Sequence, residues 1–288
     1  MTKAGVALGA ALRDDIDRLL AAEPEVRSDA PDSVHQMRVA TRRLRSVLRS
    51  YHGLFVKEPV AAMVAELAWL AGLLGEARDA EVRADRFAAL LADHGAQTPP
   101  AELGPVTARL VLAERDHYRR AHDAVLTALD SERYRELRDE LSRWRTEPPL
   151  RHSRVTAEAA EVFGEILHGD LDRVESLVRA EPTVAATERI DLLHDIRKSA
   201  KRLRYSCEAA AQEVADAADL GNRAKQLQTV LGDHRDAVES HRTILDRAAE
   251  AAAAGEPADL YEILADAEDA AAGRELSRYP ATAAALFG

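Results

Sequence analysis

The eleven residues from His35 to Arg45, His-Gln-Met-Arg-Val-Ala-Thr-Arg-Arg-Leu-Arg, return 159 positions later from His194 to Arg204 as His-Asp-Ile-Arg-Lys-Ser-Ala-Lys-Arg-Leu-Arg. A second segment, Leu74-Gly75-Glu76-Ala77-Arg78-Asp79-Ala80, returns 157 positions later as Leu231-Gly232-Asp233-His234-Arg235-Asp236-Ala237. Two ordered matches at nearly one spacing mark an internal duplication, so the fold must be one that can be built twice in a single chain. The turn-rich stretch 95–105 and the later Gly255-Glu256-Pro257 fall at about the same spacing. The paired prolines of Glu147-Pro148-Pro149-Leu150 stop a helix between the copies. The expected repeats are therefore 1–147 and 150–288.

Each half reads as helix throughout. The apolar share of 47% is mostly Ala and Leu, with only 4% aromatic residues, a composition that favours helices over sheets and supplies a core. Expected spans are 3–22, 32–52, 57–74, 76–94, 103–129 and 131–145, then 153–180, 187–211, 214–231, 233–254 and 258–278, with a short helical turn in the tail. The fold class is all-α: antiparallel bundles with short loops, Gly75 and Gly232 making sharp turns between consecutive helices. Cys207 is the one cysteine, which excludes an intrachain disulfide and a cysteine-based metal cluster, and a reducing cytoplasm is the expected setting. Asp14 and Asp15 interrupt the apolar start from Ala4 to Leu12, so it reads as a helix rather than a signal peptide, and no apolar run is expected to span a bilayer.

The net charge of −11 argues on average against a polyanionic ligand. The distribution argues the other way. From His35 to Tyr51 the chain carries Arg38, Arg42, Arg43, Arg45 and Arg49 and no acid; from His194 to Tyr205 it carries Arg197, Lys198, Lys201, Arg202 and Arg204 against Asp195. At about 100° per residue, Arg38, Arg42, Arg45 and Arg49 fall near 300°, 340°, 280° and 320° from His35, while Met37, Leu44, Leu48 and Tyr51 lie on the opposite side. Arg43 flanks the stripe. In the second copy His194, Arg197, Lys201 and Arg204 form the polar stripe, Lys198 and Arg202 its margin, and Ile196 and Leu203 the buried side. Ser33 with Gln36 resembles a capping box that starts the first helix.

Like charges at these spacings repel by a few tenths of a kcal/mol per pair. Either acids on adjacent helices, such as Glu76, Asp79, Asp233 and Asp236, compensate them, or a ligand with several phosphates does, bound bidentately by Arg and as a point charge by Lys. Each histidine, among guanidiniums, is expected to have a lowered pKa that bound phosphate reverses, so that binding tightens as pH falls. The same acids, with a histidine, could serve a metal-dependent phosphohydrolase, although no HExxH, P-loop or nucleophile elbow accompanies them. A basic helix could also lie on nucleic acid, but the first stripe has no Asn, Gln or aromatic residue for base readout. An acidic, Ala-rich outer surface would suit a protein scaffold as well.

At these residues the chain resembles the CHAD domain, the conserved-histidine α-helical domain. The motifs that carry the resemblance are His35-x-x-Arg38-x-x-x-Arg42-Arg43-Leu44-Arg45, His194-x-x-Arg197-Lys198-x-x-Lys201-Arg202-Leu203-Arg204-Tyr205 and the two Leu-Gly-x-x-Arg-Asp segments. The resemblance covers essentially the whole chain and implies one CHAD domain over 1–288, made of duplicated antiparallel helical bundles related by pseudo-two-fold symmetry. It further implies non-catalytic binding of inorganic polyphosphate on a shared basic surface or pore. The implied phosphate contacts are His35, Arg38, Arg42, Arg43, Arg45, Arg49, His194, Arg197, Lys198, Lys201, Arg202 and Arg204, with Arg78 and Arg235 from the second motif and Lys225 from Lys225-Gln-Leu-Gln. Lys225 has Ala68 as its first-half counterpart, so symmetry does not support it. Arg119, Arg120 and His122 are weaker candidates. No catalytic residue, metal or cofactor is implied. Some relatives are fused to a CYTH-type triphosphatase, whose acidic strand pattern this chain lacks. Polyphosphate granules are an expected destination, without a readable address; the oligomeric state is left open.

Overall fold

The computed structural model describes residues 2–96 and 98–288 and is helical, with no β-strand among the described residues. Ten α-helices follow in order: α1 (Ala4–Arg27), α2 (Ser33–Ser50), α3 (Lys57–His94), α4 (Pro100–Thr107), α5 (Ala113–Leu129), α6 (Glu132–Trp144), α7 (Ala159–Ala180), α8 (Ala186–Ala210), α9 (Ala217–Ala253) and α10 (Asp259–Phe287). A π-helical turn, Ala108–Leu112, joins α4 to α5. The chain forms two compact units, each drawn from several segments. The first comprises Met1–Gly75, Ala124–Gln228 and Thr282–Gly288; the second comprises Glu76–Asp123 and Thr229–Ala281.

In the first unit α1 packs on α2, α7 on α8, and α2 on α8. Leu8, Leu12, Ile16 and Leu19 of α1 are buried with Met37, Leu44 and Leu48 of α2 and Ile196 and Leu203 of α8. Tyr51 meets Phe163 of α7 edge-on, with ring centroids 4.8 Å apart. Full burial of each such apolar side chain is worth about 1.5–3 kcal/mol. The second unit has its own core, which includes Phe87, Val106, Leu110, Ile244, Tyr261 and Leu264.

That second core also holds an acid. Glu268, 1% exposed, accepts Arg86 Nε at 2.5 Å and Ser240 Oγ at 2.9 Å, and Arg86 Nη2 closes a bidentate pair. The hydrogen bonds to Glu268 raise the Arg86 guanidinium above its ordinary pKa. Removing one partner of such a pair leaves a charge in a low-dielectric setting. Glu268→Ala is expected to destabilise the second unit by about 3 kcal/mol, read as faster amide exchange within 76–123 and 229–281 under native conditions. Unchanged exchange there would refute this assignment.

Several expectations are corrected. First, Gly75 and Gly232 are not turns, because α3 and α9 run straight through them. A helix-interior glycine costs about 1 kcal/mol, and the apolar period passes unbroken through Gly75 as Leu67, Leu70, Leu74, Ala77, Ala80, Ala84 and Phe87, all buried. Second, α3 is long and apolar enough, by length and composition alone, to cross a bilayer, because the expected break at Gly75 does not occur. Core helices pass the same test, and α3 buries the residues just named.

Third, no capping box starts α2. Asp32 is the N-cap residue, in the left-handed region at φ 62°, and Gln36 Nε2 donates to its carboxylate at 2.7 Å. Fourth, the helix expected from 153 begins at Ala159. Residues 149–159 spend their backbone hydrogen bonds elsewhere: Ala4 N donates to Ala157 O, Gly5 N to Val155 O, Ala159 N to Thr2 O and Val56 N to Pro149 O, at 2.8–3.0 Å. The expected turn at Gly255-Glu256-Pro257 is present, with Gly255 at φ 75° just beyond α9, where a Cβ would be strained. The tail is not separate, since α10 continues through Pro280.

Candidate anion-binding site

α2 lacks Pro and Gly, buries Val34, Met37, Ala40, Thr41, Leu44, Val47 and Leu48, and so turns its arginine stripe away from the core. α8 buries Ile196, Ala200 and Leu203 in the same phase. The two helices are tied by side chains running both ways. Tyr51 Oη donates to Ser206 O at 2.9 Å, and Arg42 Nε donates to Tyr205 Oη at 3.1 Å. Arg42 and Arg204 also stand 5.9 and 5.0 Å from the Tyr205 ring centroid.

The predicted cations divide by their partners. Arg43, at the stripe margin, forms ion pairs at 2.6 Å with Asp15 of α1 and Glu208 of α8. Arg202, its counterpart in the second copy, donates to Asp170 of α7 at 2.8 Å and to Ser50 Oγ at 3.0 Å. Asp15 and Asp170 are 1% and 5% exposed. Ser50 and Ser206 both donate to Asp170 Oδ2, at 3.1 and 2.6 Å. Lys198 pairs with Asp195 at 2.7 Å, and Arg204 donates to Glu208 at 2.8 Å and Gln228 at 3.3 Å. Burial pushes the Asp15 carboxyl up to about 6, and the guanidiniums of Arg43 and Arg18 only partly offset that desolvation.

Arg42, Arg45, Arg49 and Lys201 differ: among the described residues no carboxylate pairs with any of them. Lys201 is half-buried, and its ammonium is pushed down to about 7, first by burial and then by the guanidiniums of Arg42, Arg197, Arg38 and Arg204. Burial, with Arg49 nearby, also lowers the Arg45 guanidinium below its ordinary value. Arg38 lies along α3, its guanidinium 3.6 Å from where a Cβ on Gly75 would stand. These side chains form a cationic cluster on α2 and α8, in which Arg204 is held by Glu208. His35 and His194 occupy the first turn of α2 and the middle of α8.

Arg78 and Arg235 belong to the second unit, where each pairs along its own helix, with Glu81 at 2.7 Å and Glu239 at 2.6 Å. Lys225 is exposed on α9 in the first unit. Of the acids weighed as compensators or metal ligands, Glu76 contacts His117 at 3.3 Å within the second unit. Among the described residues no group of three or more His, Cys, Asp or Glu side chains is arranged to hold a metal ion.

Sequence reasoning missed Asp15, Asp170, Glu208 and the tyrosine contacts. A signal for the two aspartates was present. Ala4, Leu8, Leu12, Asp15 and Leu19 recur 155 positions later as Ala159, Phe163, Leu167, Asp170 and Val174, all buried. In both helices an acid occupies a core position of an otherwise apolar face, which requires a cation from a neighbouring helix.

The sequence profile of the CHAD domain matches residues 10–245. The uncharacterized protein MT2285 of Mycobacterium tuberculosis (strain CDC 1551 / Oshkosh) is 37% identical over 258 residues, 88% of this chain and 48% of that protein. The chain thus spans about half the length of the curated relatives it matches. Among solved structures, PptA from Streptomyces chartreusis superposes with a TM-score of 0.80 at 21% identity, covering 98% of this chain and 99% of that one. The CHAD domain from the plant Ricinus communis superposes with a TM-score of 0.67 at 23% identity, covering 100% and 92%. At such identities the structures speak for the fold, and the profile for the family. The chain belongs to the CHAD domain family.

Proposed function

We propose that this chain binds inorganic polyphosphate without catalysing its breakdown, through the cationic cluster of α2 and α8. The observation that carries the reading is Lys201 with its neighbours. A protein that half-buries an amine beside the guanidiniums of Arg42, Arg197, Arg38 and Arg204, with no carboxylate on the amine itself among the described residues, gains from a bound polyanion. Arg42, Arg45 and Arg49 extend along about 10 Å of helix at 1.5 Å per residue, more than a single phosphate needs, which favours a chain of phosphates. Arg43 and Arg202, already engaged by Asp15 and Asp170, act in this reading chiefly as anchors that hold the stripes in place.

The matching pairs Arg43–Asp15 and Arg202–Asp170 support two pseudo-symmetric copies within one domain over 1–288. Polyphosphate granules in the cytoplasm are the corresponding destination. The test is a titration with polyphosphates of graded length, and with duplex DNA and RNA at the same stated salt. Wild type is compared with the Arg42→Ala, Lys201→Ala double variant. Expected are affinity rising with chain length, a steep loss with salt as counterions are released, and a drop of at least tenfold in the double variant. Equal affinity for nucleic acid at matched charge would favour the nucleic-acid reading. Unchanged affinity in the double variant overturns the site.

A further inference from the structure

Basic residues gather a second time where α2 ends. Arg49 lies in the last turn of α2, His52 opens the 3₁₀ turn His52–Leu54 that follows, and Lys57 begins α3. Beside them runs the segment between α6 and α7, which carries Arg151, His152 and Arg154. Backbone hydrogen bonds seat that segment. Val56 N donates to Pro149 O at 2.8 Å and Arg151 N to Leu54 O at 2.9 Å, while Phe55 and Leu150 form an antiparallel bridge. Gly53 has no side chain, and Arg154 Nη1 lies 3.9 Å from where its Cβ would stand. All six basic residues are exposed, and all belong to the first unit.

The chain holds 50 acids, yet neither 49–57 nor 149–157 contains one; Glu58, next to Lys57, is the nearest in sequence. Among the described residues no carboxylate pairs with Arg49, Lys57, Arg151 or Arg154. Helix electrostatics accounts for only part of this charge. The C-terminal end of α2 carries about half a negative charge, which Arg49 and the hydrogen bond from His52 Nδ1 to Arg49 O, at 2.9 Å, already answer. Arg151 and Arg154 remain in excess. Lys57 stands at the positive end of α3, where the helix dipole disfavours a cation.

We propose that Arg49, Lys57, Arg151 and Arg154 form a second polyanion subsite, which takes over a phosphate chain where the α2 stripe ends. The inference rests on the reading of the α2 and α8 cluster as a polyphosphate site and extends it to a surface outside that cluster. Arg49 belongs to both surfaces: Arg42 stands about 10 Å before it along the helix, and Gly53, with the Arg154 guanidinium over it, follows one turn later. Guanidiniums suit phosphate oxygens through their paired donors. A small anion can occupy one surface at a time, whereas a long chain occupies both. Joining the two sites on one ligand raises affinity through effective concentration, without a stronger contact at either.

The full chain and its Arg151→Ala, Arg154→Ala variant are titrated with tripolyphosphate and with long-chain polyphosphate over a range of salt. Alanine keeps the backbone N–H of Arg151, so the segment stays seated. Expected for the variant are tripolyphosphate affinity within twofold of wild type and long-chain affinity at least tenfold lower. Its long-chain salt slope should be shallower by about one per arginine removed. Lys57→Gln, outside the segment, should show the same selectivity to a smaller extent. Unchanged long-chain affinity in the arginine variant overturns the subsite and leaves the reading of the cluster intact. An equal loss for both ligands overturns it too, because the two surfaces would then not be separate. If long chains lose affinity in this variant but not in Arg42→Ala, Lys201→Ala, the patch stands as a polyanion site and the reading of the cluster falls.

Discussion

Replacing Asp170 with alanine is expected to lower the unfolding free energy by about 3 kcal/mol, the largest single-residue loss foreseen in the first unit. Asp170 accepts from Arg202, Ser50 and Ser206 and so joins α7 to both basic helices. Without it one guanidinium and two buried hydroxyls lose a shared anionic acceptor at once, although Arg202 keeps Ser50 Oγ and Ser206 keeps Arg202 O. Arg202 is 36% exposed and can turn partly to water, which keeps the loss at the lower end for a broken buried pair. Asp170→Asn retains an acceptor oxygen and should lose about half as much. At Asp15, where burial already works against the charge, Asp15→Asn should be nearly neutral at pH 7. Urea unfolding followed by two spectroscopic probes measures all three. A loss below about 1 kcal/mol for Asp170→Ala would mean that the network tolerates an empty centre.

The second large effect concerns pH. Free Lys201 loses its proton near 7, whereas its ordinary value is 10.5. A bound polyanion favours the ammonium and raises that value, so binding takes up a proton between pH 7 and the bound-state value. Affinity should be flat below 7 with respect to this group and fall up to tenfold per pH unit above it, approaching 100-fold by pH 9. Lys201→Met should flatten the slope. Any slope that persists in Lys201→Met belongs to other titrating groups. The ligand-free fold should respond in the opposite sense. Because the folded-state value lies below the unfolded one, stability rises as pH climbs from about 7 towards 10.5. Isothermal titration in two buffers of different ionisation enthalpy reads the proton uptake directly, and no uptake at pH 8 would refute the coupling.

How much of this was legible in the sequence depended on distance along the chain. Helix phasing is local, and it placed Met37, Leu44, Leu48, Tyr51, Ile196 and Leu203 on the buried side, where the structure has them. It also separated stripe from margin. The margin residues Arg43, Lys198 and Arg202 are paired with acids, whereas among the described residues Arg42, Arg45, Arg49 and Lys201 have no carboxylate partner; the stripe residue Arg204 breaks this division by pairing with Glu208. The acids themselves were illegible to a search confined to each basic helix, because Asp15 and Asp170 come from α1 and α7 and only packing brings them in. Gly75 and Gly232 were misread for the opposite reason: a local breaker was weighed without the apolar period that carries α3 and α9 past it. Lys201 looked like one cation among ten until burial and four neighbours set it apart.

The strap at 155–159 has a consequence for how the chain is made. Residues 2–5 find backbone partners there, and Gly5 lies so close that a Cβ would stand 2.6 Å from Val155 Cβ. At 5–20 residues per second, a ribosome needs roughly 8–30 s to travel from one segment to the other. For that interval the start of α1 is without the partners that satisfy it in the finished fold. This helix is thus among the elements of the fold that must wait longest to be closed, and a pause in translation between the two segments lengthens its exposure to chaperones and proteases.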